Sequence, residues 1–132
     1  EILIKIDQLQ LNGRVHLTGN KNYPWKIYHS LDLFIMSSIY EGLGRSITEA
    51  LSCGVPVVCT SVEGVPEIVR DNETGILVPP KNPSALATGI IKALNDMDGA
   101  RKMAEEGRKF VNENFDVKKM VDDIDMLYDA FL

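Results

Sequence analysis

Short apolar runs alternate along the chain with segments of helical periodicity. The runs contain β-branched and other apolar residues in succession rather than in alternation, which is typical of strands buried on both faces. They cover residues 15–18, 32–36, 57–60 and 75–78. Strands that are separated by helices predict an α/β domain with a Rossmann-like parallel sheet, right-handed crossovers and helices on both faces.

The helical segments have recognisable starts and ends. A short helix is predicted over 46–53, before Gly54, and Asn82-Pro83 has the cap and first-turn proline that open another. The apolar positions of that helix are Leu86, Ile90, Leu94 and Met97. Further helices are predicted over 100–114 and after Asp116, so the C-terminal third is helical. Apolar residues on one side of the last helix lead us to expect that it packs against another surface: Val117, Met120, Val121, Ile124, Leu127, Tyr128 and Phe131.

Composition narrows the class of protein. The chain has 132 residues, of which 45% are hydrophobic and 25% charged, as in a single globular domain. The net charge of −5 argues against nucleic acid or an anionic membrane as the main partner. The two cysteines, Cys53 and Cys59, lie outside a Cys-x-x-Cys pair, and we expect reduced, structural thiols in a cytoplasmic protein.

The loop over residues 37–46 is the strongest candidate for a binding site. Ligands of parallel sheets bind at the carboxyl ends of the strands. This loop leaves a predicted strand, passes Gly42 and Gly44 and enters a helix, whose free N–H groups favour a phosphate. Glu41 and Glu49 flank these amides, and carboxylates accept hydrogen bonds from hydroxyl groups. A nucleotide sugar combines both kinds of group.

Simpler interpretations of the same residues stay open. Ser46 and Glu49 form an S-x-x-E pattern, which is also a capping box that closes a helix start. Glu41 by itself is a common kind of solvated surface charge. The loop is neither a G-x-G-x-x-G fingerprint nor a P-loop, so the residues alone predict only a site for an anion and hydroxyl groups.

The run from Asp32 to Val58 resembles the C-terminal domain of the GT-B glycosyltransferases of the group 1 family, family 4 type. The signature of that family is a pair of glutamates separated by seven residues, and Glu41 and Glu49 satisfy it. The resemblance continues through residues 63–69 and 72–79, and upstream through 14–19. It therefore covers nearly the whole chain.

The resemblance implies a catalytic Glu41, which holds hydroxyls of the donor sugar near the anomeric centre. The other donor-binding positions that it implies are Gly42, Leu43, Gly44, Arg45, Ser46, Glu49, Gly19 and Asn20. Backbone N–H groups of 42–44 face the sugar, those of 45–46 meet the diphosphate, Glu49 holds the ribose, and 19–20 lie near the base. The implied activity is transfer of the sugar with retention, with no cofactor and no required metal.

The chain departs from the family pattern at its N-terminal end. The family carries an upstream Arg and a Lys-Gly pair that bind the diphosphate, and this chain has neither. We expect residues 1–132 to be one donor-binding domain that lacks its first two strands and the N-terminal acceptor-binding domain. Such a fragment would be inactive alone, and any peripheral membrane association would come from the absent domain. Arg45 and Lys21 could replace the missing cations, although a surface role is favoured.

Other functions remain as alternatives. A non-catalytic nucleotide-sugar-binding subunit or a GT-B type epimerase would share the same residues. A flavodoxin-like signalling receiver is more distant, because it needs acidic residues and a lysine at strand ends where this chain has Thr18, Ser37 and Thr60.

Overall fold

The computed structural model describes residues 1–23 and 25–131. Its helices are α1 (Ile2–Gln8), α2 (Trp25–Tyr28), α3 (Arg45–Ser52), α4 (Val65–Ile68), α5 (Pro83–Asn95), α6 (Met97–Asn114) and α7 (Val117–Asp129). Its strands are β1 (Phe34–Met36), β2 (Val57–Thr60) and β3 (Ile76–Val78).

The three strands form a parallel sheet in the order β1-β2-β3. Met36 is paired with Cys59, and Val58 with Ile76, so the strands are aligned with their carboxyl ends at one edge. The connections between neighbouring strands contain α3 and α4, respectively. The loops that follow β1 and β2 therefore lie side by side, as the sequence predicts for a parallel sheet.

Helices cover both faces of the sheet, which confirms the predicted α/β class. All four residues of β2 are buried, and the first three alternate between two cores. Val57 and Cys59 belong to the core that includes α3 and α4, whereas Val58 belongs to the core with Ala93 of α5. Gly89 lets α5 approach closely, since a Cβ there would lie 3.0 Å from a Val78 methyl group.

The helix starts follow local capping chemistry. The Asn82 side chain accepts a hydrogen bond from the Ala85 amide at 3.0 Å, and the Asp116 side chain accepts one from the Lys118 amide at 2.8 Å. Both predicted starts are confirmed. The predicted apolar stripe of α5 is partly wrong, because Leu94 is 52% exposed while Gly89 and Ala93 are buried.

The predicted strand over residues 15–18 is not formed. Val15 and Leu17 are 40% and 57% exposed, and the described sheet contains only β1, β2 and β3. A strand needs a neighbour that completes its hydrogen bonds. Among the described residues, no strand lies beside 15–18. The apolar pattern of residues 15–18 is therefore not enough to predict a strand.

The last helix forms as predicted, but its apolar side is uncovered. No residue of α7 is buried; Val117 is 70% and Phe131, just past its end, 82% exposed. The expected packing is wrong for the described part of the chain, because none of its elements covers this side of the helix. Within the same residues, no helix is long and apolar enough to cross a membrane.

Candidate functional site

The loop between β1 and α3 lies at the carboxyl edge of the sheet. Its last residue, Gly44, has φ 66° and ψ 47°, the left-handed conformation that glycine adopts without a steric penalty. Gly44 is also the N-cap of α3, and no side chain caps this helix by a hydrogen bond. The first N–H groups of α3, on Arg45 and Ser46, are therefore open to an external acceptor.

The capping box that the S-x-x-E pattern predicts is not formed. The Ser46 hydroxyl is directed to the Met36 sulfur, with 3.8 Å between Oγ and Sδ. The Glu49 carboxylate accepts a hydrogen bond from the Tyr28 hydroxyl instead of closing the helix start. Helix α3 begins one residue before Ser46, which places this serine inside the helix rather than at the cap.

Glu41 is half-buried and is tied to the ends of two strands. Its Oε2 accepts a hydrogen bond from the Ser38 hydroxyl at 3.3 Å. The Ser38 carbonyl in turn accepts one at 2.6 Å from the hydroxyl of Thr60, a residue that is 4% exposed at the end of β2. The carboxylate is therefore held in place, unlike that of an ordinary solvated glutamate.

A second segment, Glu63-Gly64, supports the same loop and lies in the 63–69 stretch of the family resemblance, for which no donor contact is predicted. The Glu63 Oε2 accepts a hydrogen bond from the Glu41 backbone N–H at 2.8 Å. A Cβ at Gly64 would lie only 2.2 Å from the Gly42 carbonyl oxygen, so no other residue type fits there without movement. The available signal was a glycine in the loop after β2, which a parallel sheet places beside the loop after β1.

Glu49 lies in α3 and its two carboxylate oxygens have different surroundings. Oε2 accepts a hydrogen bond at 3.1 Å from the hydroxyl of Tyr28, a residue that is 7% exposed. Oε1 lies 4.0 Å from the Arg45 Nη2, and the Arg45 side chain is 84% exposed. Burial, followed by the hydrogen bond and the negative charge of Glu49, raises the pKa of Tyr28 to about 12. The Tyr28 hydroxyl therefore keeps its proton to a higher pH than an ordinary tyrosine.

Neither cysteine has the properties of a nucleophile. Burial raises the pKa of Cys59 to about 12, and burial together with the Glu49 charge raises the pKa of Cys53. Reactive thiols have lowered pKa values. Both are free thiols, as expected for structural cysteines.

The structure brings together some of the predicted site residues and leaves others apart. Residues 41–46 and Glu49 form one continuous loop and helix start. Gly19 and Asn20 are exposed, and no hydrogen bond among the described residues joins them to that loop. In the described ranges, no group of three or more His, Cys, Asp or Glu side chains is placed to hold a metal ion. The chemistry available is a set of free amides between two oriented carboxylates.

Comparison with known proteins gives a family and a set of relatives. Residues 3–110 match the family model described as "Glycosyl transferases group 1". The chain is 31% identical over 127 residues to N-acetyl-alpha-D-glucosaminyl L-malate synthase of Bacillus anthracis, covering 96% of this chain and 33% of the relative. It is 37% identical over 110 residues to an uncharacterized glycosyltransferase of Methanocaldococcus jannaschii, covering 82% of this chain and 28% of the relative.

Solved structures share the fold of this chain. Anabaena HepE in complex with UDP matches with a TM-score of 0.93 and 27% identity, over 98% of this chain and 36% of that one. Sucrose-phosphate synthase of Thermosynechococcus elongatus matches with a TM-score of 0.91 and 31% identity, over 98% of this chain and 33% of that one. The chain spans about a third of the length of the curated relatives just described.

Proposed function

Because the chain belongs to the group 1 glycosyl transferases, we propose that it binds the nucleotide-diphosphate sugar donor of such an enzyme. The observation that carries this proposal is the uncapped start of α3, which lies between two carboxylates that are each held by a hydroxyl group. Anabaena HepE is similar in fold and has been crystallised with UDP and with UDP-glucose. Membership of this family excludes the signalling-receiver alternative.

Each part of the donor has a proposed partner. The amides of Arg45 and Ser46 bind the diphosphate, because a helix N-terminus carries partial positive charge. The amides of residues 42–44 face the sugar, Glu41 accepts its hydroxyls, and Glu49 accepts a ribose hydroxyl. Gly19 and Asn20 remain the proposed neighbours of the base on the strength of the family resemblance alone.

In the whole protein, we propose, the sugar is transferred to an acceptor with retention of configuration. The bond to the diphosphate breaks through an oxocarbenium-like state, while negative charge grows on the leaving group. Amides that are oriented before the reaction stabilise this charge without reorganisation, and one such donor is worth roughly 3–4 kcal/mol in other enzymes. Glu41 orients the sugar and stabilises positive charge on its ring.

We further propose that residues 1–132 are the donor-binding part of a protein about three times as long, with the acceptor bound by the remainder. The chain covers about a third of the two curated relatives described above, which supports this proposal. The isolated chain then binds donors weakly and does not transfer sugar. The whole protein binds the donor and transfers the sugar.

Calorimetry with UDP-glucose, UDP-N-acetylglucosamine and GDP-mannose tests donor binding, and product analysis on the whole protein tests transfer. We expect heat with at least one donor, and Glu41→Ala should abolish transfer while circular dichroism shows an intact fold. Glu73→Ala removes an exposed carboxylate in the turn before β3 and should leave transfer and fold unchanged. Full turnover by Glu41→Ala would overturn the proposed role. A product that is an epimerised nucleotide sugar would identify an epimerase instead.

A further inference from the structure

Tyr28 is a buried residue whose only side-chain hydrogen bond among the described residues goes to the candidate site. Its hydroxyl donates to the Glu49 Oε2 at 3.1 Å. Its ring packs edge-on against Phe34, the first residue of β1, with 5.7 Å between ring centroids and 76° between planes. The hydroxyl is therefore fixed relative to the sheet from which the candidate loop emerges.

This contact restricts what the Glu49 carboxylate can do. A partly exposed glutamate on a helix normally populates several rotamers, and ordering it costs conformational entropy. Here the buried hydroxyl holds Oε2, and Oε1 is left facing the exposed Arg45 guanidinium at 4.0 Å. An ion pair that is this long and exposed contributes little, so a ligand hydroxyl can take its place at Oε1.

We propose that Tyr28 is a positioning residue for ribose recognition: its hydroxyl orients Glu49 so that Oε1 accepts a hydrogen bond from a ribose hydroxyl of the donor. The proposal rests on the proposed function, because it requires that a nucleotide ribose reaches Glu49. Tyr28 itself does not touch the donor. The hydroxyl keeps its proton throughout the physiological pH range, because the ordinary tyrosine pKa of 10.0 already lies above that range and burial raises it further.

The test is the discrimination between ribonucleotides and deoxyribonucleotides by Tyr28→Phe. This substitution removes the hydroxyl and keeps the ring against Phe34. Calorimetry uses UDP, GDP and ADP, the 2′-deoxy and 3′-deoxy forms of each, and inorganic pyrophosphate as a ribose-free probe. We expect Tyr28→Phe to weaken ribonucleotide binding about three- to tenfold, the scale of one hydrogen bond, and to leave pyrophosphate binding unchanged. The preference for ribose should fall by the same factor.

Two controls separate positioning from a merely structural role. Tyr23→Phe changes an exposed tyrosine that packs against Trp25, and it should leave the ribose preference intact. In a Glu49→Gln background, Tyr28→Phe should have little further effect on the preference, because the two residues act as one unit. If the two substitutions reduced the ribose preference additively in the double variant, the proposal would be overturned.

The outcomes also separate this proposal from the proposed function. If the whole protein binds no nucleoside diphosphate, both are overturned. If it binds one, and Glu49→Gln weakens binding while Tyr28→Phe leaves the ribose preference unchanged, the positioning role is wrong and the donor site stands.

Discussion

The two ends of the candidate site are held by different means. At the loop end, Glu41 depends on hydrogen bonds from Ser38 and to Glu63, and on contact between the Gly42 and Gly64 backbones. At the helix end, Glu49 lies on α3, where neighbouring side chains such as Leu51 are fully buried. A loop of this kind is sensitive to small backbone shifts, whereas the helix is sensitive to packing beneath it. Each end can therefore be disturbed separately.

The largest effect on the loop end is expected from Gly64→Ala. The new Cβ would lie 2.2 Å from the Gly42 carbonyl oxygen, so one of the two backbones has to move. We expect donor binding to fall more than about tenfold, with a loss of about 1–3 kcal/mol in unfolding free energy, as for other overpacked sites. Calorimetry measures donor binding, and chemical denaturation measures the free energy of unfolding.

Gly42→Ala is the matched control for stability, because a Cβ at Gly42 meets no atom within 4 Å. If Gly64→Ala were as stable as Gly42→Ala and bound the donor like the parent protein, the contact between the two segments would not hold the loop.

A smaller effect, now on the helix end, is expected from Gly107→Ala. Here α6 packs against α3, and a Cβ at Gly107 would lie 2.7 Å from Leu51 Cδ2 and 3.0 Å from the Thr74 carbonyl oxygen. Overpacking costs about 1–3 kcal/mol, and the better helix propensity of alanine offsets about 1 kcal/mol of it. We expect a net loss of about 1 kcal/mol by thermal or urea denaturation. A gain in stability would show that α6 moves aside at no cost.

The smallest effect is expected in the titration of Tyr28. Its pKa of about 12 lies above the ordinary value of 10.0, so the folded protein retains this proton where the unfolded chain loses it. The stability that the neutral hydroxyl contributes is present below pH 10 and is lost as the pH rises through 12. Tyrosinate absorbance should show one late-titrating tyrosine, and Glu49→Gln should lower its pKa. An unchanged titration in Glu49→Gln would contradict the contact.

The sequence predicts features that depend on neighbouring residues. Helix α5 begins where Asn82-Pro83 indicates, and the loop after β1 follows its strand as the glycines suggest, because both depend on backbone conformation over a few residues. The same reasoning fails where a distant partner decides. Residues 15–18 have a strand pattern without a neighbouring strand in the described chain. Glu49 has capping-box spacing, but a tyrosine 21 positions away takes its carboxylate.

The strand order of the sheet has a consequence for how it opens. The Phe34 N–H donates to the Pro56 carbonyl, towards β2, so the alternation of a strand turns the Ile35 N–H to the opposite edge, where the described residues provide no strand. In the described sheet β1 and β3 are both outer strands, so local opening, as measured by hydrogen exchange, starts at these two strands and reaches the central strand β2 last. The loop that carries Glu41 is attached to an outer strand, so a shift of this loop leaves the fully buried central strand in place.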